Sequence, residues 1–351
     1  MANLLSIPIA EFTYAQIVDG MPISNIYKED HRFCEGFPVL DHKDLCPGTM
    51  DKTRAFRAQF DIDSVQFAPK LLQAYQNTSL GSIAYKLRLL EMVVIACHNI
   101  AVFLYQLDDG THKHAEWEDW LTKKLALPSE GEDQYMHITY GPPTPFYVDL
   151  YVDFDRYPNG LADVVGYWAE HHIFGGVVLF DRGRDEEECN GIYLHNPKSA
   201  STIAPPTERQ FNDLLDFLLS PSPSAETDTS LCPLPIRITQ ENKWRWHPYH
   251  GKADHHIFKF RHEIPREPYR DHCVINPKDW PEYGDWDFIE EETMKPLDGG
   301  VCDEALVAAA MERMRQISTP TSRCYAWEEE EMARRQPDPK RRGRPPYFFD
   351  P

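Results

Sequence analysis

Two acids, a glycine and two histidines follow one another closely at Asp108-Asp109-Gly110-Thr111-His112-Lys113-His114. They come straight after a long apolar stretch, so a rigid helix would deliver them to a loop, where reactive groups concentrate. Carboxylates at a helix C-terminus oppose the macrodipole. That local cost points to a role, whereas a plain polar helix stop at Gly110 is the simpler alternative. Asp108, Asp109, His112 and His114 form the candidate catalytic set, with a histidine as general base. A second set begins with Asp155-Arg156 and Asp181-Arg182 and runs into the acidic stretch Asp185–Glu188. Paired carboxylates grip a guanidinium in its plane. Asp155, Arg156, Asp181, Arg182, Asp185 and Glu188 are thus candidates for substrate binding, against the plain alternative of solvated strand ends and a charge run.

Two other clusters have ligand-type side chains. His31, Cys34, His42 and Cys46 have the donor types of a zinc site, but H-x2-C…H-x3-C is not a common finger spacing. His255, His256, His262 and His272 crowd a stretch rich in Trp and Tyr, such as Trp244-Arg245-Trp246-His247, which reads as packed aromatic loop. No metal and no cofactor is expected from either. The chain has no Gly-rich phosphate loop, no G-x-S-x-G and no H-E-x-x-H. Nucleotide-driven ligation, serine hydrolysis and common zinc proteolysis therefore have no support.

The elements that would position these groups are legible as patterns. Phe146, Val148, Leu150, Val152 and Phe154 alternate with polar residues, which predicts a half-buried strand over about 146–154. Pro158-Asn159-Gly160 breaks it, and Leu161, Val164, Val165, Trp168 and Ala169 fall on one helical stripe. Gly175-Gly176 ends that helix, and Val177–Phe180 is a continuous apolar strand. Strand, helix and strand within about 35 residues fit a parallel βαβ crossover, with ligands outside the strands' carboxyl ends. The expected class is therefore α/β, a Rossmann-like βαβ core with parallel strands. Helices are also predicted over Val65–Gln76, Ile83–Leu107, Ala115–Leu125, Thr207–Leu219 and residues 301–317. The second of these is apolar nearly all round and should be the central buried helix.

The expected organisation is an N-terminal extension over 1–60 and a core over 61–300 with a surface loop at 220–231. A helical segment over 301–333 and a basic tail over 334–351 follow. The formal charge of −20 opposes broad binding to nucleic acid or anionic membrane. Eight cysteines without a C-x-x-C read as reduced thiols. With no signal-peptide pattern and no lipid-facing span, a cytoplasmic protein is expected. In the tail, Arg342-Gly343-Arg344-Pro345 looks like the minor-groove core of an AT-hook. It implies AT-rich DNA or nuclear entry as an alternative, non-enzymatic role.

The segments QLDDGTHKH (Gln106–His114), RYPNGLADVVGYWAE (Arg156–Glu170), GGVVLFDRG (Gly175–Gly183), ECNGIYLH (Glu188–His195) and CPLPI (Cys232–Ile236) resemble a large, mostly uncharacterised family of filamentous-ascomycete proteins. The chain is also similar to the fungal arginine-containing cyclodipeptide synthases, which join arginine and a second amino acid from aminoacyl-tRNAs into a diketopiperazine. Their DDxxE motif is matched by Asp108 and Asp109, with His112 in place of the glutamate. The resemblance implies an aminoacyl-tRNA partner. Such a reaction needs positioning, a group to take the amine proton and stabilisation of an oxyanion. His112 or His114 would be the base, and Arg156 or Arg182 would face phosphate or the developing charge.

Overall fold

Among the described residues, a run that is apolar nearly all round makes the longest helix, and three other helices of its unit pack against it. The computed structural model describes residues 1–27, 38–61, 65–125, 142–196, 202–220, 232–239, 241–242, 245–246, 248–265 and 285–316. The chain divides into two compact units, one formed by Met1–Val178 with Glu208–Ile236 and the other by Leu179–Thr207 with Arg237–Pro351. The divisions expected at residues 60 and 300 are not where the contacts part. His31, Cys34, His272, the 221–230 loop and the Arg342-Gly343-Arg344-Pro345 tail lie outside the described residues.

The first unit is helical: α1 (Ala2–Leu5), α2 (Pro8–Asp19), α3 (Pro38–Asp41), α4 (Thr49–Gln59), α5 (Pro69–Gln76), α6 (Ile83–Leu107), α7 (His114–Leu125), α8 (Leu161–Phe174) and α9 (Glu208–Leu219). Helix α6 starts where the Ser82 hydroxyl accepts the Tyr85 N–H at 3.1 Å. It ends at Asp108, which takes the left-handed cap conformation with φ 44°. By length and composition it could cross a membrane, yet 72% of its most apolar stretch is buried. It packs against α8, α2 and α5.

Helix α8 has more than the predicted stripe in the core, since Ala162–His171 and Ile173–Phe174 are all buried. Two of those residues, Asp163 and Glu170, form a buried ionic cluster with a histidine of α6. His98 of α6 places Nδ1 2.7 Å from Glu170 Oε1 and Nε2 3.1 Å from Asp163 Oδ1. Glu170 also accepts the Val178 N–H, and Asp163 accepts the backbone and side-chain N–H groups of Asn159. Both imidazole nitrogens donate only in the charged ring, so the helix pair is joined by an ionic contact that its carboxylates fully answer. Gly166 makes room for it, because a Cβ there would stand 2.4 Å from the His98 ring.

The predicted strand over 146–154 does not form. Phe146, Tyr147 and Val148 are all buried in succession, whereas Leu150 turns outward with φ 67°. The segment runs as irregular chain that sets aromatic rings onto the helices. Phe146 meets Trp168 edge-on at 4.8 Å, Tyr147 stacks on Tyr27 at 5.5 Å and Tyr151 leans on Tyr167 at 4.8 Å. Aromatic anchoring thus overrides the period of two.

The chain enters the second unit within β1 (Val177–Phe180). Strands β2 (Ile192–His195) and β3 (Ile203–Ala204) complete a sheet of order β1-β2-β3. Leu194 pairs with Ala204 and His195 with Ile203, antiparallel. Bridges from Asp181 to Ile257 and from Ile203 to Trp246 extend the pairing, also antiparallel. The protein is therefore mixed helix and sheet, and among the described residues the parallel βαβ core expected does not appear, because 146–154 is no strand and the described pairings of β2 and β3 are antiparallel. Helices α10 (Pro248–Ala253), α11 (Trp286–Met294) and α12 (Glu304–Arg315) belong to this unit, and α11 packs on α12.

The His98 contact carries a pH dependence. Burial pushes the Asp163 carboxyl up, but the His98 hydrogen bond and charge, with the Asn159 donors, outweigh it and leave Asp163 below its ordinary value. A depressed folded value means stability that is present above about pH 4 and lost as pH falls through the lower folded value. Urea midpoints measured from pH 6 down to pH 2 should fall for the wild type along this limb. Asp163→Asn should be less stable at pH 6 and should flatten that fall. An unchanged slope would show that Asp163 is not a source of the acid limb.

Candidate metal centre

Four side chains of the first unit, one at a helix end and three on loops, converge on one point: Asp19, His42, Cys46 and His112. One ligand atom from each lies within 4.8 Å of all the others. Asp19 is the last residue of α2, His42 follows α3, Cys46 precedes α4 and His112 lies between α6 and α7. Asp19 Oδ2 is 3.2 Å from His42 Nε2, and Cys46 Sγ is 3.5 Å from His112 Nε2. The two imidazoles meet edge-on with centroids 4.8 Å apart.

The backbone brings these segments together before any side chain is considered. The His112 N–H donates to the Asp19 carbonyl at 2.9 Å. Gly20, with φ 92°, and Gly110 both sit at this crossing. A Cβ on the first would lie 2.0 Å from the His112 carbonyl oxygen and one on the second 2.5 Å from the Asp19 oxygen. Only glycine permits this approach. Beside it, the Cys46 N–H and the Thr49 hydroxyl donate to the two oxygens of Asp19 at 2.9 and 3.2 Å. Lys52 donates to the Asp109 carbonyl at 3.1 Å.

Outer partners also decide which ring nitrogens face inward. His42 Nδ1 lies 3.0 Å from the Pro22 carbonyl, and His112 Nδ1 lies 3.1 Å from Glu116 Oε2. Both partners only accept, so both Nδ1 atoms carry a proton and both rings turn Nε2 to the centre. His42 Nε2 is buried and makes no hydrogen bond, although Asp19 Oδ2 stands 3.2 Å away. A charged His42 ring would answer Asp19, but the nitrogen is not aligned to donate. Acceptors facing each other in a buried place are costly, and a cation between them removes the cost.

The donor set fits zinc. Bonds of about 2.0–2.3 Å in a tetrahedron place ligand atoms roughly 3.3–3.8 Å apart, close to two of the separations here, 3.2 and 3.5 Å, in a set that spans no more than 4.8 Å. One sulfur, two imidazole nitrogens and one carboxylate suit a borderline divalent ion. Cys46, His112 and Glu116 also lie in the order of a thiol nucleophile, its base and an orienting acid. Burial and the Asp19 carboxylate, however, push the Cys46 thiol up, against thiolate reactivity in the absence of a metal. A divalent ion reverses that balance.

Of the predicted catalytic residues, His112 is in the centre, Asp108 and Asp109 lie on its loop and His114 is the first residue of α7. Asp108 is exposed, its carboxylate 3.7 Å from His114 Nε2, and its carbonyl accepts from Lys113. Asp109 is exposed as well. His114 stacks on Tyr105 with ring centroids 3.6 Å apart. Burial holds its imidazole below the usual value, with Asp108 and Glu118 acting in the opposite direction.

The predicted substrate set is not joined by the sheet edge it was assigned to, since 146–154 is no strand. Asp155 is exposed on a 3-10 turn of the first unit, and Arg156 reaches Asp153 at 3.4 Å. In the second unit, Asp181 Oδ1 accepts the Gly183 N–H and Glu188 accepts the Asn190 side-chain amide. Asp185 is exposed in the same turn region. Arg182 is buried, and it donates to the Phe258 and Lys259 carbonyls at 3.0 and 2.7 Å. Its guanidinium ties chain to chain within that unit. Of the histidine cluster, His255 lies tilted against Trp246 with centroids 4.1 Å apart and His262 stacks on Phe260, as a packed aromatic stretch would.

The placement of Arg182 has a measurable consequence. Arg182→Met keeps much of the apolar stem and leaves two carbonyls without their donor, which should cost roughly 2–4 kcal/mol. Chemical denaturation should detect this. A loss below about 0.5 kcal/mol, the range of ordinary surface changes, would mean the two bonds contribute nothing.

Comparison of the chain with models of known protein families, with curated proteins and with solved structures found no match.

Proposed function

We propose that the first unit is a zinc-binding module whose metal fixes the loop from Asp108 to Lys113. The observation that carries this reading is the buried, unanswered His42 Nε2 facing Asp19 inside a ring of four converging donors. Four protein donors close a tetrahedron, the arrangement of a structural centre. Bound there, the ion would supply charge compensation and a cross-link among four chain segments. Asp19, His42, Cys46 and His112 hold it, while Pro22 and Glu116 set the ring tautomers. Binding energy at such a centre is folding energy.

The full chain, purified without a metal-chelating tag, should contain one zinc per molecule by elemental analysis. Cobalt in its place should give tetrahedral visible bands and a sulfur-to-metal charge-transfer band that Cys46→Ser lacks. Glu116→Gln should weaken zinc binding about 10–100-fold by releasing the His112 ring. Chelator should lower the melting temperature of the wild type. Substoichiometric metal even after reconstitution, with melting indifferent to chelator, would sink the reading.

A second proposal concerns activity. It is that the metal-held loop serves tRNA-dependent cyclodipeptide synthesis, with arginine as one of the two amino acids. What favours it is that Asp108 and Asp109, matching the motif of that family, face solvent on this loop. Such carboxylates are suited to a guanidinium. Expression in a heterologous host followed by mass spectrometry of extracts should reveal an arginine-containing diketopiperazine. Asp108→Asn with Asp109→Asn should abolish it while zinc stays at one per chain. Product at the wild-type level in the double variant would reject the assignment.

A further inference from the structure

The four donors of the centre are not equally sheltered. Asp19 and His42 have side-chain exposures of 0% and 8%, whereas His112 has 23% and Cys46 is also partly exposed. The sulfur and the His112 ring, 3.5 Å apart, form the edge nearest solvent. Behind them lie the two oxygen and nitrogen donors. Among the described cysteines, Cys97 and Cys189 are buried, and Cys232 and Cys302 are outside the grouping. Cys46 is therefore the sulfur through which an aqueous oxidant would meet the metal site.

We propose, on the reading that the centre holds zinc, that hydrogen peroxide releases the ion by oxidising Cys46. The metal-bound thiolate attacks one peroxide oxygen, an S–O bond forms and the O–O bond breaks. Sulfur gives up two electrons, peroxide accepts them, and the second oxygen leaves as hydroxide, which a buffer acid protonates to water. The resulting sulfenic acid is a poorer ligand than the thiolate. Asp19, His42 and His112 then remain as three hard or borderline donors, one of them at the solvent edge, and a site tuned for sulfur loses its softest bond. The backbone crossing at Gly20, Gly110 and the His112 N–H does not involve the sulfur. It persists when the ion leaves, so the empty centre can be refilled once a thiol reductant restores Cys46.

The test uses the full zinc-loaded chain and hydrogen peroxide, with a chromogenic chelator reporting free zinc. Dimedone trapping and peptide mass spectrometry follow Cys46 in the same samples. One equivalent of zinc should appear with the time course of the Cys46 adduct, and dithiothreitol with added zinc should restore the metal. Cys46→Asp and Cys46→His retain a ligating side chain, and whichever binds zinc should release at least tenfold more slowly under the same peroxide. Zinc lost without modification at Cys46, or Cys46 modified with zinc retained, overturns the proposal. A chain that binds no zinc before peroxide is added removes the zinc reading itself, and that outcome is distinct from both.

Discussion

One backbone hydrogen bond, from the His112 N–H to the Asp19 carbonyl, ties the end of α2 to the loop after α6, and the candidate centre depends on that tie. Side chains on loops are ordinarily too mobile to hold a tetrahedron. Here two glycines let the strands of chain touch, and Cys46 and Thr49 then close over the Asp19 carboxylate. The acid is consequently a hydrogen-bond hub as well as a donor to the centre. Its two oxygens organise the start of α4 whether or not an ion is bound.

The same unit thus solves one electrostatic problem in two ways. Between α6 and α8, two carboxylates enclose one imidazole, and each nitrogen has an acceptor. Donors and acceptors are matched inside the protein, with the Val178 and Asn159 N–H groups answering the remaining carboxylate oxygens. At the centre, two imidazoles whose Nδ1 protons face outer acceptors turn Nε2 toward a carboxylate and a sulfur. Under the zinc reading, a charge from outside completes the matching there. The contrast separates a polar core contact from a binding site, although both contain histidine and acid in helical surroundings.

Much of the helical frame was legible. Helices α6 and α8, the stop at Gly175 and the strand Val177–Phe180 follow from apolar period and turn chemistry. Helix α2 was missed because PIAEFTYAQIVD is buried on most faces and shows no stripe. The 146–154 strand failed because its alternation came from aromatic anchors that enter the core at successive positions, with Leu150 pushed out. Half of the centre was visible as the pair His42 and Cys46, and His112 stood out on its loop. Their partnership was not visible, because it joins residues 66 positions apart. Nothing around Asp19 marked it, since a lone acid at a helix end is common. Proximity created by Gly20 and Gly110 is a tertiary fact that local pattern does not encode.

The spacing of the donors along the chain also sets an order of events. Asp19 and Cys46 are 27 residues apart, and His112 comes 66 residues after Cys46, beyond the whole of α6. On a chain growing from its N-terminus, three donors are exposed well before the fourth is made. Closing the larger loop costs entropy that α6 must recover by packing on α2 and α8. Under the proposed zinc reading, capture at full coordination belongs late in folding, as a lock set on an assembled helical core. A nascent chain stalled before His112 would hold only a partial, readily exchanged site.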